Sequence, residues 1–404
     1  MKTKLLNYFS QKIIGDCGID DIEYINGVVY ILSRLNGVFG FNLRSNGEIP
    51  CFKNHLKAEK MQIFDDNLIL IGEEGESLYE RKAVFQILDT QTGNIKLKSV
   101  TLPKKNYSTK RAKLTFTGKE VIEDATETAP DFKKAIIVND KLYILYQFNK
   151  EKAITKGKII EYDMCEKNAI LCVYSLPELE LKNHYDLKAS ASKFCLRYPY
   201  IISADKHLLH SFDITTMQNR TAEIKNNPIQ SITCDRDFIY VCHSSGSISE
   251  SFLSIFKISD LSFIETIDLI KQMSGVNYTL KAMYNKILGN ISSNNYIVDE
   301  YKKADDYFKQ LYTHPLEAKG FIRSAHAQHE SFACVTDVCC CFEHNILAMA
   351  TELGSNPGFL WDIQKRQPIT YLLGKQTVSR QIKVRYPYIL SCATEDAHIW
   401  ELSK

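Results

Sequence analysis

The stretch Phe359-Leu360-Trp361-Asp362-Ile363 carries an apolar run into an aromatic, an acid and an aliphatic residue. Endings of the same kind recur at Phe41-Asn42-Leu43, Leu88-Asp89-Thr90, Tyr162-Asp163-Met164, Phe212-Asp213-Ile214, Phe256-Lys257-Ile258 and Trp400-Glu401-Leu402, with a weaker instance at Tyr301-Lys302-Lys303. Upstream of each lies a second apolar run, at residues 28–32, 67–71, 142–146, 200–203, 238–242, 287–291, 346–350 and 388–391. These runs are short, β-branched or aromatic, and mostly introduced by turn residues, so they read as strands.

Eight strand pairs with centres about 40 to 75 residues apart form a repeat, and the shorter spacings match a propeller blade. The expected fold is all-β: one closed β-propeller of four-stranded blades over residues 1–404, with eight blades favoured and seven possible. The last repeat has three strands, ending just after Trp400-Glu401-Leu402, while residues 4–16 hold a strand-like piece ahead of the first repeat. An N-terminal strand completing the last blade would leave fewer unpaired edges.

Residues 104–130 break the rhythm, beginning basic at Lys104, Lys105, Lys110, Arg111 and Lys113 and turning acidic at Glu120, Glu123, Asp124 and Glu127. They are expected to form a charged, solvated loop insertion without another strand pair. The sixth unit, at 278–318, is diluted by Asn285, Asn290, Asn294 and Asn295. Units four and eight share Arg197-Tyr198-Pro199-Tyr200-Ile201-Ile202-Ser203 and Arg385-Tyr386-Pro387-Tyr388-Ile389-Leu390-Ser391, with Phe212 and Trp400 each nine positions after the serine. That match points to internal duplication, with Tyr-Pro as the turn between first and second strands.

The seventh unit resembles the WD40 family. Trp361-Asp362 ends its third strand where that family has Trp-Asp, and His329 precedes its first strand where the family often has Gly-His. The resemblance gives His329, Trp361, Asp362 and Trp400 structural roles. Other units lack Gly-His, and tryptophan returns only at Trp400.

The 50 Lys and Arg against 48 Asp and Glu give a formal charge of +2, so no bulk field draws the chain to nucleic acid or to an anionic membrane. The opening residues lack a secretory signal and no segment has the length of a membrane span, so a soluble cytoplasmic protein is expected. The 12 cysteines are scattered, several inside expected strands, and are read as reduced buried thiols. Neither Cys334, Cys339-Cys340-Cys341 and His344 nor His326-Ala327-Gln328-His329-Glu330 has the paired spacing of a zinc site, so no metal or other cofactor is expected. Phosphate-binding glycine loops and a Gly-x-Ser-x-Gly elbow are absent from the sequence.

In a WD40-like blade, the loops joining second to third strands share one face. Here they contribute Arg34, Glu73, Glu74, Asp205, His207, His243, Glu352, Glu395 and Asp396, a set that leans acidic and would suit a partner with a basic segment. The expected function is a noncatalytic protein–protein interaction scaffold binding a protein or peptide there, a reading by fold analogy. The alternatives are an enzyme with its active site in the central channel and an RNA-binding propeller.

Overall fold

A computed structural model describes residues 2–10, 18–45, 48–53, 55–56, 58, 60–74, 82–102, 108–114, 120–126, 131–156, 159–187, 191–225, 227–244, 251–272, 335–351, 358–372, 381–394 and 396–403. After β1 (Lys2–Ser10), blade 1 is β2 (Asp21–Ile25), β3 (Val28–Ser33), β4 (Gly37–Asn42) and β5 (Glu48–Phe52), and blade 2 is β6 (Lys60–Phe64), β7 (Asn67–Glu74), β8 (Lys82–Asp89) and β9 (Ile95–Thr101). A separate hairpin, β10 (Ser108–Leu114) and β11 (Glu120–Thr126), leads to blade 3: β12 (Asp131–Val138), β13 (Lys141–Lys156), β14 (Ile159–Ser175) and β15 (Leu181–Asp186). Blade 4 is β16 (Lys193–Arg197), β17 (Tyr200–Asp205), β18 (Leu208–Asp213) and β19 (Asn219–Glu223), and blade 5 is β20 (Ile229–Cys234), β21 (Phe238–His243), β22 (Phe252–Lys257) and β23 (Phe263–Asp268). Blade 6 is β24 (Val335–Cys341), β25 (Ile346–Thr351), β26 (Gly358–Asp362) and β27 (Gln367–Leu372). Blade 7 is β28 (Gln381–Arg385), β29 (Tyr388–Cys392) and β30 (Asp396–Ser403), with β1 as its fourth strand.

The fold is a β-propeller of seven four-stranded blades, each an antiparallel meander. The described residues hold seven blades, the count allowed beside the favoured eight, and the asparagine-diluted sixth unit, 278–318, lies outside them. The expected closing strand is present, with Leu5 opposite Trp400 and Phe9 opposite Ala397. Two compact units divide the chain, residues 1–53, 195–202 and 206–404 in one and 54–194 and 203–205 in the other.

One local clasp repeats in all seven blades. The residue after the third-strand acid, or its equivalent, donates its N–H to a carbonyl in the turn between first and second strands. The pairs are Leu43 to Gly27 (2.9 Å), Thr90 to Asp66 (3.2 Å), Leu176 to Asp140 (3.1 Å), Ile214 to Pro199 (3.0 Å), Ile258 to Asp237 (2.9 Å), Ile363 to Asn345 (2.9 Å) and Leu402 to Pro387 (2.7 Å). The acid itself caps the turn into the fourth strand: Asp89 Oδ1 accepts the N–H groups of Gln91 and Thr92, and Asp213 Oδ1 those of Thr215 and Thr216. Asn42 does the same for Arg44 and Ser45, and Asp362 for Lys365. These are Asx turns, which explains why short acids or asparagine favour the position.

The aromatic that precedes the acid packs on the preceding blade. Trp400 clusters with Ile346, Ala348 and Leu360 of blade 6, and Trp361 with Tyr240, Leu253 and Ile267 of blade 5. In the second unit, Tyr174 meets Phe85 of blade 2 edge-on at 5.2 Å. Phe41 of blade 1 lies 4.6 Å from Phe9 of the closing strand. Third strands also approach closely: a Cβ on Gly358 would lie 2.2 Å from Met349 O, so only glycine fits.

Two expectations need correction. Blade 3 ends its third strand at Tyr174-Ser175-Leu176 rather than at Tyr162-Asp163-Met164, because the β13–β14 ladder runs from Lys141 opposite Ser175 out to Lys156 opposite Ile159. Asp163 sits partway along that arm, opposite Lys152. The insertion at 104–130 is not strandless, since residues 108–114 and 120–126 form the β10–β11 hairpin, with Lys110 opposite Asp124 and Arg111 opposite Glu123.

Phe9 is 2% exposed, so Phe9→Ala is expected to lower stability by about 3–5 kcal/mol in chemical denaturation, and removal of residues 1–15 to lower the thermal midpoint further. An unchanged melt after that deletion would mean β1 contributes nothing to blade 7.

Candidate functional site

Polar groups on the first strands of the larger unit form a connected belt. Glu23 and Asp21 on β2 are fully buried, and Lys383 on β28 reaches both, with Nζ 2.7 Å from Asp21 Oδ1 and 2.6 Å from Glu23 Oε1. Arg385, two residues along β28 and so on the same face, forks onto Glu23 with Nε 3.1 Å from Oε2 and Nη2 3.0 Å from Oε1. Burial works against the Lys383 charge, but Asp21 and Glu23 outweigh it and hold the ammonium above its ordinary range. Asp337 on β24 extends the belt, accepting the Ser231 hydroxyl of β20 at 2.7 Å and the Ile382 N–H of β28 at 3.0 Å. Asp21 and Glu23 are matched by Lys383 and Arg385, and these four side chains tie blades 1 and 7 together.

A Ser–His pair is the other arrangement with catalytic form. His243 Nε2 lies 2.8 Å from Ser254 Oγ, which lies 2.6 Å from Thr266 Oγ1. Ser254 is only 2% exposed, and His243 Nδ1 has no hydrogen-bond partner among the described residues, so no described carboxylate orients the imidazole. The trio bridges three strands of blade 5. Burial pushes the His243 pKa down to about 4, keeping the ring neutral.

No group of three or more His, Cys, Asp or Glu that could hold a metal occurs among the described residues. The described cysteines are free thiols, and burial pushes Cys341 up to about 11 and Cys172 up to about 12. Cys334 and the His326–Glu330 stretch, including the structural candidate His329, lie outside the described residues. Trp361 and Trp400 are core residues and Asp362 is a turn cap.

The residues expected on the acidic rim differ in exposure and placement. Arg34 is exposed in the turn after β3, His207 is half-buried in the turn after β17, and Asp205 is half-buried at the end of β17. Glu73 and Glu74 end β7 opposite Ala83 and Lys82. Glu352 and Glu395 lie outside the described residues. His243 and Asp396 require correction: at 5% and 1% exposure both are interior, since each belongs to a strand at the base of its turn rather than to the turn itself.

At the other end of the blades, the turns joining first to second and third to fourth strands carry a surface the rim analysis missed. Exposed there are Tyr198 and Met217 of blade 4 (64% and 63%), Phe263 at the start of β23, and Tyr386 of blade 7. Arg236 of blade 5 lays its guanidinium 4.4 Å above the Phe342 ring of blade 6, and His344 of blade 6 stacks on Tyr386 with centroids 3.4 Å apart. A contiguous row therefore crosses blades 5, 6 and 7. The duplicated Tyr-Pro turns were its one sequence signal, since a tyrosine at a turn tip has no core to enter.

No family model matches the chain, and no curated protein matches it. Among solved structures, it is similar to the computationally designed Ika8 protein, with a TM-score of 0.54 at 9% identity, covering 99% of this chain and 100% of that one. At that identity the likeness concerns the fold alone.

Lys383→Met leaves Asp21 and Glu23 buried without their ammonium and is expected to cost about 3–5 kcal/mol in urea unfolding. The folded His243 value lies below its unfolded one, so the stability it permits is complete above about pH 6.5 and is lost as pH falls towards 4. Between pH 7 and 5 the natural protein should lose up to about 2 kcal/mol more than His243→Gln. Equal losses would clear the imidazole of any part in acid sensitivity.

Proposed function

We propose that the chain is a noncatalytic interaction scaffold, a degenerate WD40-like propeller that docks a protein or peptide through its exposed turns. One observation carries the reading: of the seven large hydrophobic side chains left exposed among the described residues, four (Tyr198, Met217, Phe263 and Tyr386) sit at the same end of blades 4, 5 and 7. Scattered exposed apolar residues are ordinary, but collected ones mark interaction surfaces. The buried Asp21, Glu23, Lys383 and Arg385, by contrast, pair with one another and His243 is held neutral, which favours binding over catalysis. Free thiols suit a reducing compartment, and a cytoplasmic setting belongs to the proposal. No helix among the described residues is long and apolar enough to cross a membrane. Docking is assigned to these turns rather than to the acidic rim because His243 and Asp396, two members of that rim, are buried.

A photo-crosslinking residue placed at Met217 should capture a discrete partner in cell extract, resistant to nuclease and displaced by excess untagged protein. The same residue at Leu97, exposed on the outer strand β9, should not. Capture from Leu97 alone would move the docking surface, and nuclease-sensitive capture would favour the RNA reading.

A further inference from the structure

We propose that the row formed by Arg236, Phe342, His344 and Tyr386 receives a peptide segment that pairs one carboxylate side chain with a neighbouring aromatic or aliphatic anchor. The inference rests on the scaffold reading and names the partner class for that surface. Arg236 is exposed at the tip of the blade 5 turn, and its guanidinium lies over the Phe342 ring. A guanidinium that lies over a ring still has N–H groups to offer, and these can take a carboxylate in two parallel hydrogen bonds. Arg236 meets no carboxylate among the described residues, nor does Arg197 beside the exposed Tyr198 of the adjoining blade. The other arginines of this region are engaged: Arg366 pairs with Glu265, and Arg220 Nη1 donates to Ser259 O at 2.5 Å.

The nearby acids show why the ligand is a peptide with few charges. Asp260 accepts the Ser262 N–H, Asp362 caps its own turn, and Glu343 accepts the Cys341 thiol at 3.9 Å, so one oxygen of each is already engaged. Their charge nevertheless stays on the surface, together with that of exposed Asp237. A phosphate backbone needs an unbroken basic track, and here acids interrupt it. One carboxylate on the Arg236 fork avoids that repulsion. The stacked His344–Tyr386 pair, with Tyr386 still 38% exposed, offers a flat apolar platform in the neighbouring turn for the anchor.

A random twelve-residue display library panned on the full chain tests this. Enriched peptides should share an Asp or Glu within a few positions of an aromatic or aliphatic residue. For one such peptide, changing its acid to the amide should weaken binding about tenfold in fluorescence anisotropy, the size expected for one charge-assisted hydrogen bond. Arg236→Gln should abolish that difference, Arg236→Lys should restore only part of it, and Tyr386→Ala should weaken the acid and amide peptides equally, all with unchanged circular dichroism. Enrichment without acids, or an acid preference that survives Arg236→Gln, overturns the carboxylate pairing while leaving the scaffold reading in place. Displacement of the peptide by a twenty-residue uridine oligonucleotide would overturn the peptide assignment itself. Absence of any enriched peptide overturns the proposal, and if Met217 also captures no partner, the scaffold reading falls with it.

Discussion

A single backbone hydrogen bond underlies each blade: the N–H that follows the third-strand acid, donated to the carbonyl of the turn between first and second strands. It joins two turns at one end of a sheet and thereby fixes the register of the third strand against the second. Register has an all-or-none consequence in a strand, because a slip of one residue turns every side chain to the other face. With the clasp closed, the aromatic just before the acid points into the packing against the preceding blade, and the acid reaches the turn beyond it. Trp361, Trp400 and Tyr174 each occupy that position in a hydrophobic cluster shared with the blade before their own.

The clasp also divides polar from apolar work. Asp21, Glu23, Lys383 and Arg385, all on first strands, neutralise one another across the junction of blades 1 and 7. A buried pair of this kind costs much desolvation and adds little net stability, but removal of one member leaves a stranded charge, so it enforces correct docking of the two blades. The turns, whose backbone groups are used by the clasp and the Asx caps, leave their side chains without internal work. Aromatic and cationic residues placed there, such as Tyr386 and Arg236, therefore stay exposed.

The blade plan was legible in the sequence because it is local. Alternating strands, the aromatic-acid-aliphatic ending, the Tyr-Pro turns and the spare N-terminal strand all follow from neighbouring residues, and each appears where the pattern placed it. The same local reading failed where a distant partner decides the outcome. It favoured eight units, where the described residues form seven blades. In blade 3 it took Tyr162-Asp163-Met164 for a strand end, although pairing with β13 carries the strand on to Ser175.

Sequence alone determined that this chain would be an all-β repeat closed by its own first strand, since periodicity and turn chemistry are written within a few residues of each other. Tertiary structure decided which charged and polar groups are buried. Glu23 meets Lys383 across 360 positions of chain, and His243 and Asp396 sink below the turns they were expected to crown. Tertiary structure also set Arg236 over Phe342 and His344 on Tyr386, residues from three blades. No pattern within one repeat encodes such contacts, because they arise only when separate blades pack with their turns side by side.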